Sequence, residues 1–165
     1  MKPIKKFDLS KVILNRNNDD IVCSNIKFFD NNNNIYPEKT DLLCFWDGCP
    51  FSNSPIGIPL KPHDDEIGYD CELTFCSYEC VYAYLLDHFE KMECKRDINY
   101  KDSIQYLKYI YNLLYPDKVL KPAHDRRLVK ESFGGSIPIS VFRTNNHTHN
   151  RTSNIKLYNA SIRYQ

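Results

Sequence analysis

The chain has 165 residues, 42% hydrophobic and 13% aromatic, with a formal net charge of +1; that is the make-up of one ordinary folded domain, and it excludes a low-complexity or strongly polyionic chain. No run of about eighteen apolar residues occurs, so a spanning helix and a membrane partner are not expected. The near-neutral total hides an asymmetry, because residues 1–100 hold 11 Lys and Arg against 17 Asp and Glu while residues 101–165 hold 11 against 4, which suits the second part to an anionic partner or to packing on the first.

The opening stretch, MKPIKKFDLSKVILNRNNDD, turns polar before a signal-peptide core can form. The seven cysteines are therefore expected in a reducing compartment, as metal ligands, catalytic groups or core residues rather than disulfides. Residues 1–40 read as an Asn-rich amino-terminal segment of loops with one short strand near residues 21–29. From Leu42 the texture changes to LLCFWDGCPF, IGIPL and YDCELTFCS, short runs split by Pro, Gly and Asp, which is the pattern of strands joined by turns. Ser77 then offers an N-cap, and Val81, Tyr84, Leu85, His88 and Phe89 recur at helical spacing as far as Met92.

A second helix is expected behind Asp102 or Ser103, with Ile104, Leu107, Ile110, Tyr111 and Leu114 on one face and Pro116 closing it. A shorter third helix follows in DRRLVKESFGG, capped by Asp125 and stopped by Gly134 or Gly135, and the tail NIKLYNASIRYQ reads as a strand. The expected organisation is an amino-terminal segment 1–40, a small module 41–95 and a basic helical segment 96–165.

The cysteines of the module fall in two close pairs, Cys44 with Cys49 in CFWDGC and Cys76 with Cys80 in FCSYEC. Structural zinc takes four ligands in a tetrahedron, commonly as two pairs from separate segments. Asp47 and Gly48 can bend the first pair toward one point, and the second pair lies at the mouth of a helix, whose partial positive charge favours thiolates. The expected site is thus one structural Zn2+ on Cys44, Cys49, Cys76 and Cys80, with Cys71 or His63 as alternatives to Cys49. Knuckle, hairpin and helix around one ion make an α+β, treble-clef-like plan followed by helices. So small a core needs the ion to fold. Cys23 and Cys94 are isolated and expected to be packed or inert, and His147 and His149 in NNHTHN are expected in a solvated loop.

Three blocks, CFWDGCPFSNSPIGIPLK, FCSYECVYAYLLD and RRLVKESFGGSIPISVFR, stand in the order found in the late gene transcription factor 2 family of nucleocytoplasmic large DNA viruses, which the chain resembles over residues 41–145. The metal module resembles an FCS or MYM type of zinc finger. Such fingers open with C-x-x-C, whereas here Asp47 stands where the second thiol would be. The resemblance implies a non-catalytic activator of late viral genes in the host cytoplasm, at viral factories and in the virion, with viral RNA polymerase or other late transcription factors as partners and promoter DNA as a further one.

Lys118, Lys121, Arg126, Arg127, Lys130 and Arg143 cluster around the third helix, and Lys121, Arg126, Arg127, Lys130 and Arg143 are the candidate phosphate contacts. The competing expectation is a zinc-scaffolded protein-interaction module that does not touch DNA. An enzyme is not expected, since HExxH, the deaminase HxE with PCxxC, and a nucleophile with a base are all missing from the sequence.

Overall fold

A computed structural model describes residues 35–63, 68–90, 100–129, 134–148 and 155–159. The strand expected near residues 21–29, together with Cys23, Cys94, Lys130 and His149, lies outside them. The described chain is a mixed α+β arrangement around a three-stranded sheet. Strands β1 (Ile56–Pro62) and β2 (Gly68–Phe75) form the expected antiparallel hairpin. The tail supplies β3 (Lys156–Asn159), which pairs parallel to β2 and leaves β2 central in the order β1-β2-β3. Residues expected in the separate segment 96–165 thus complete the sheet of the 41–95 module.

Helix α1 (Tyr78–Glu90) begins where Ser77 was expected to cap it, and the Ser77 hydroxyl accepts from Cys80 N at 3.2 Å. Helix α2 (Ser103–Leu114) buries Ser103, Leu107, Ile110 and Tyr111, while Asp102 stands at its N-cap without a side-chain hydrogen bond. Tyr78 and Tyr111 meet edge to face across the two helices at 5.9 Å between ring centres, a geometry that adds to plain burial. The third helix shrinks to a 3-10 turn at Arg126–Leu128, with the Asp125 carboxylate accepting from Arg127 N. Gly134, at φ +74°, takes the left-handed turn foreseen for the FGG block. A one-turn helix α3 (Ile139–Phe142) follows Pro138; a single turn is too short for periodicity to reveal.

Two backbone features set the position of the site. At Gly57 any side chain would collide with the Tyr36 hydroxyl and the β-carbon of Cys71, so β1 can approach β2 this closely only as glycine. In β2 the ladder shifts register beside Leu73, whose φ of +61° marks a bulge. The Tyr36 hydroxyl donates to Leu73 O at 2.7 Å. Phe45 N donates to Thr74 O at 2.8 Å, which docks the knuckle onto the end of the sheet.

Candidate metal centre

The knuckle is a tight turn. Gly48 N donates to Cys44 O at 2.8 Å and Cys44 N to Cys49 O at 3.0 Å, while Gly48 adopts φ +71°, which only glycine takes cheaply. Residues 44 and 47 are three apart around this turn and present their side chains to one side. On the other side of the cluster, Cys76 precedes α1 and Cys80 lies in its first turn.

The structure brings together Cys44, Asp47, Cys76 and Cys80, with one ligand atom of each within 4.8 Å of the others. All four are buried, none more than 2% exposed, so no water-accessible face is left. Cys76 Sγ lies 3.6 Å from Cys80 Sγ and 3.6 Å from Asp47 Oδ2, and Cys80 Sγ lies 3.9 Å from that oxygen. A tetrahedron with metal–ligand bonds of about 2.0–2.3 Å has edges of about 3.5–3.8 Å. These three distances are close to such edges, and the four buried donors could together hold a metal ion.

The electrostatics ask for a cation. Burial pushes the Cys44 thiol up, but hydrogen bonds from Cys76 and Cys80 outweigh it and hold Cys44 well below the ordinary thiol range. Cys76 and Cys80 are pushed far up, first by those same hydrogen bonds to Cys44. Negative charge on more than one of these sulfurs is costly in a buried pocket without a cation beside it. Burial also raises the Asp47 carboxyl, against the Arg143 guanidinium, which lowers it.

A second layer of side chains supports this cluster. Arg143 Nε donates to Asp47 Oδ2 at 2.9 Å and Nη2 to Oδ1 at 2.7 Å, a two-pronged pair with Asp47 fully buried. The same guanidinium donates to Pro50 O at 2.8 Å and Cys49 O at 3.2 Å. Asn146 Nδ2 donates to Cys80 Sγ at 3.6 Å and Asn53 Nδ2 to Cys76 O at 2.8 Å. Such outer partners orient ligands and tune the affinity of metal sites.

The structure places several of the expected site residues elsewhere. Cys49 is not in the cluster: its N–H donates to Asp47 Oδ1 at 2.9 Å and its thiol to Asp47 O at 3.6 Å, so the turn gives Asp47, three residues after Cys44, the fourth corner. Neither alternative takes that corner. Cys71 is fully buried in β2 with its thiol donating to Tyr69 O, and His63 pairs with Asp70 at 2.6 Å and stacks on Tyr158. No disulfide joins the five described cysteines. Arg143, expected as a phosphate contact, pairs with Asp47. Arg126 lies over the Trp46 ring at 5.3 Å, and Arg127 pairs with its neighbour Asp125, whereas Lys121 is exposed. His147, expected in a solvated loop, is half-buried against Glu79. The visible signal for Asp47 was its place at the second thiol of a C-x-x-C knuckle; for Arg143 and Asn146 there was none, since nearly a hundred residues separate Arg143 from Asp47.

No family model matches the chain, and no solved structure matches it. It is similar to an uncharacterized protein of Acanthamoeba polyphaga mimivirus, with 30% identity over 107 residues, which is 64% of this chain and 29% of that relative. The chain therefore covers less than a third of the relative's length.

Proposed function

We propose that this chain is a zinc-stabilised, non-catalytic factor in late viral transcription, which joins a viral RNA polymerase or a companion factor to late promoters. The observation that carries the metal part is the buried set Cys44, Asp47, Cys76 and Cys80, whose ligand atoms all lie within 4.8 Å of one another. Three thiolates and a carboxylate select zinc over calcium or magnesium, which prefer oxygen. Four protein ligands with no seat for water suit a structural ion, not a Lewis-acid catalyst. The order of knuckle, hairpin β1–β2 and helix α1 around the cluster supports a treble-clef-like reading with Asp47 in place of one thiol. The transcription part is supported by the resemblance of its three sequence blocks and by the relative's origin in a mimivirus.

The test has two arms. Elemental analysis of the purified chain gives one zinc per molecule, and cobalt substitution gives a thiolate-to-metal absorption band; a chain that folds without bound metal overturns the metal part. Depleting the chain during infection lowers late transcripts while early ones persist. Unchanged late transcripts overturn the transcription part.

A second reading, a protein-interaction module that leaves DNA untouched, is favoured by one observation. Arg143, Arg126 and Arg127 already hold protein partners, which weakens the expected basic surface for a duplex. Salt-resistant capture of a polymerase subunit without any shift of promoter DNA decides for it.

A further inference from the structure

Asn146, which donates to Cys80 Sγ, also lines a cavity of about 490 Å³ that opens between the first turn of α1, the end of α2 and the segments 118–124 and 145–147. Its volume lies in the range of small-molecule sites. The acidic side chain in its wall is Glu79, which is 4% exposed and already answered. His147 N donates to Glu79 Oε2 at 2.8 Å, His147 Nδ1 lies 2.6 Å from Oε1, and the Tyr111 hydroxyl donates to Oε1 at 3.4 Å. Burial, and then Glu79, push the Tyr111 hydroxyl up to about 12, so it stays a donor. Lys118 Nζ donates to His147 Nε2 at 2.7 Å. A lysine has only donors, so Nε2 accepts and the ring proton lies on Nδ1, facing Glu79.

Lys118 is thereby unlike an ordinary surface lysine. Its ammonium is held by His147 and by the Tyr115 ring at 5.4 Å, and its backbone N donates to Tyr115 O at 3.0 Å. Lys121 stands in the same wall, without an ion pair among the described residues. The cavity thus presents two cations, one of them pre-organised, plus the amides of Asn145 and Asn146, and its buried carboxylate is occupied elsewhere. We propose that this cavity binds a terminal phosphate group, a phosphomonoester carried by a free nucleotide or by the 5′ end of a nucleic-acid strand. Two lysines match the charge of about −1.5 to −2 on a monoester near neutral pH, where a backbone diester carries only one. A concave site admits a strand end or a nucleotide, while Val119, Pro122 and Ala123 give an apolar wall for what the phosphate carries. Lys118 and Lys121 act as point charges on the phosphate.

The inference does not rest on the metal or the transcription reading. Its test is calorimetric titration of the purified full chain with inorganic phosphate, adenosine 5′-monophosphate, and one short single-stranded oligonucleotide with and without a 5′ phosphate. The expected result is binding of the phosphorylated ligands, with Lys118→Gln and Lys121→Gln each weakening it by about ten-fold and Lys101→Gln, exposed and away from the cavity, leaving it unchanged. Binding of the nucleotide alone assigns a free nucleotide, and tighter binding of the phosphorylated strand than of the nucleotide assigns a strand end. Measurable binding of both oligonucleotides with equal affinity, or no binding of any probe at millimolar concentration, overturns the proposal. If the lysine variants lose their circular dichroism, the wild-type His147 imidazole resonances decide, since they must shift when phosphate is added and a fixed spectrum overturns the site. Metal content is measured on the same sample. A metal-loaded chain that ignores phosphate sinks this inference alone, and a metal-free chain that binds phosphate sinks the metal reading alone.

Discussion

Two neighbouring residues in the first turn of α1 face opposite surroundings. Cys80 looks into a closed, dry cluster of sulfur and carboxylate, and Glu79 looks into the wall of an open cavity. Each is met by one of two neighbours on the returning chain, Cys80 by Asn146 and Glu79 by His147. The difference lies in the charge each side has left over. Around Cys80, three thiols and Asp47 have, among the described residues, one arginine to answer them, so the cluster is short of positive charge. Around Glu79, an imidazole, a backbone N–H and a hydroxyl already answer the carboxylate, and two lysines remain. One side calls for a cation and the other for an anion, although a single peptide bond separates Cys80 from Glu79.

The first way to break that comparison is to strip the cluster of the metal proposed for it. In zinc-finger peptides the ion contributes roughly 10–16 kcal/mol of apparent binding energy, as much as the whole stability of about 5–15 kcal/mol of an ordinary domain. Strong chelation is expected to unfold the knuckle and the start of α1. Trp46, whose Nε1 donates to His124 O at 2.9 Å, reports the loss in its emission; an unchanged spectrum contradicts the assignment.

Next comes the choice of fourth ligand. Asp47→Ala is expected to lose metal and also to strand the partly buried Arg143, at a further cost of about 3–5 kcal/mol. Cys49→Ser should keep one metal per chain. The reverse pattern in elemental analysis would return Cys49 to the site.

Arg143→Gln tests the outer layer and is expected to weaken metal affinity by roughly 10–100-fold, read by competition with a chromophoric chelator. On the cavity side the effect is smaller. His147→Ala leaves Glu79 short of donors and is expected to lower stability by about 1–3 kcal/mol by denaturant titration, with metal content intact. Loss of metal in that variant would mean the two sides are not separate in the way the comparison holds.

Much of this was legible along the chain. The hairpin, both long helices, the Ser77 cap and three of the four clustered donors follow from local chemistry: short aliphatic and aromatic runs between turns, apolar residues at helical spacing, and thiols in close pairs. The choice between Asp47 and Cys49 was less so, because both lie within one turn of Cys44 and only the backbone path through Gly48 decides which faces inward. Arg143 read as one more basic residue, and His147 as one more polar loop residue. Neither carries a local mark of its partner.

What the residues dictated by themselves was a mixed α+β chain with cysteine pairs at a knuckle and at a helix mouth, since propensity, capping and spacing act over a few residues. What only the tertiary structure decided was the company those groups keep: a carboxylate at the fourth corner, an arginine from 96 residues away clamped on it, and a glutamate joined to a histidine across 68. The physical reason is that burial makes an isolated charge intolerable, so each buried charge must find its partner wherever the packed chain brings one, and sequence distance sets no limit on that.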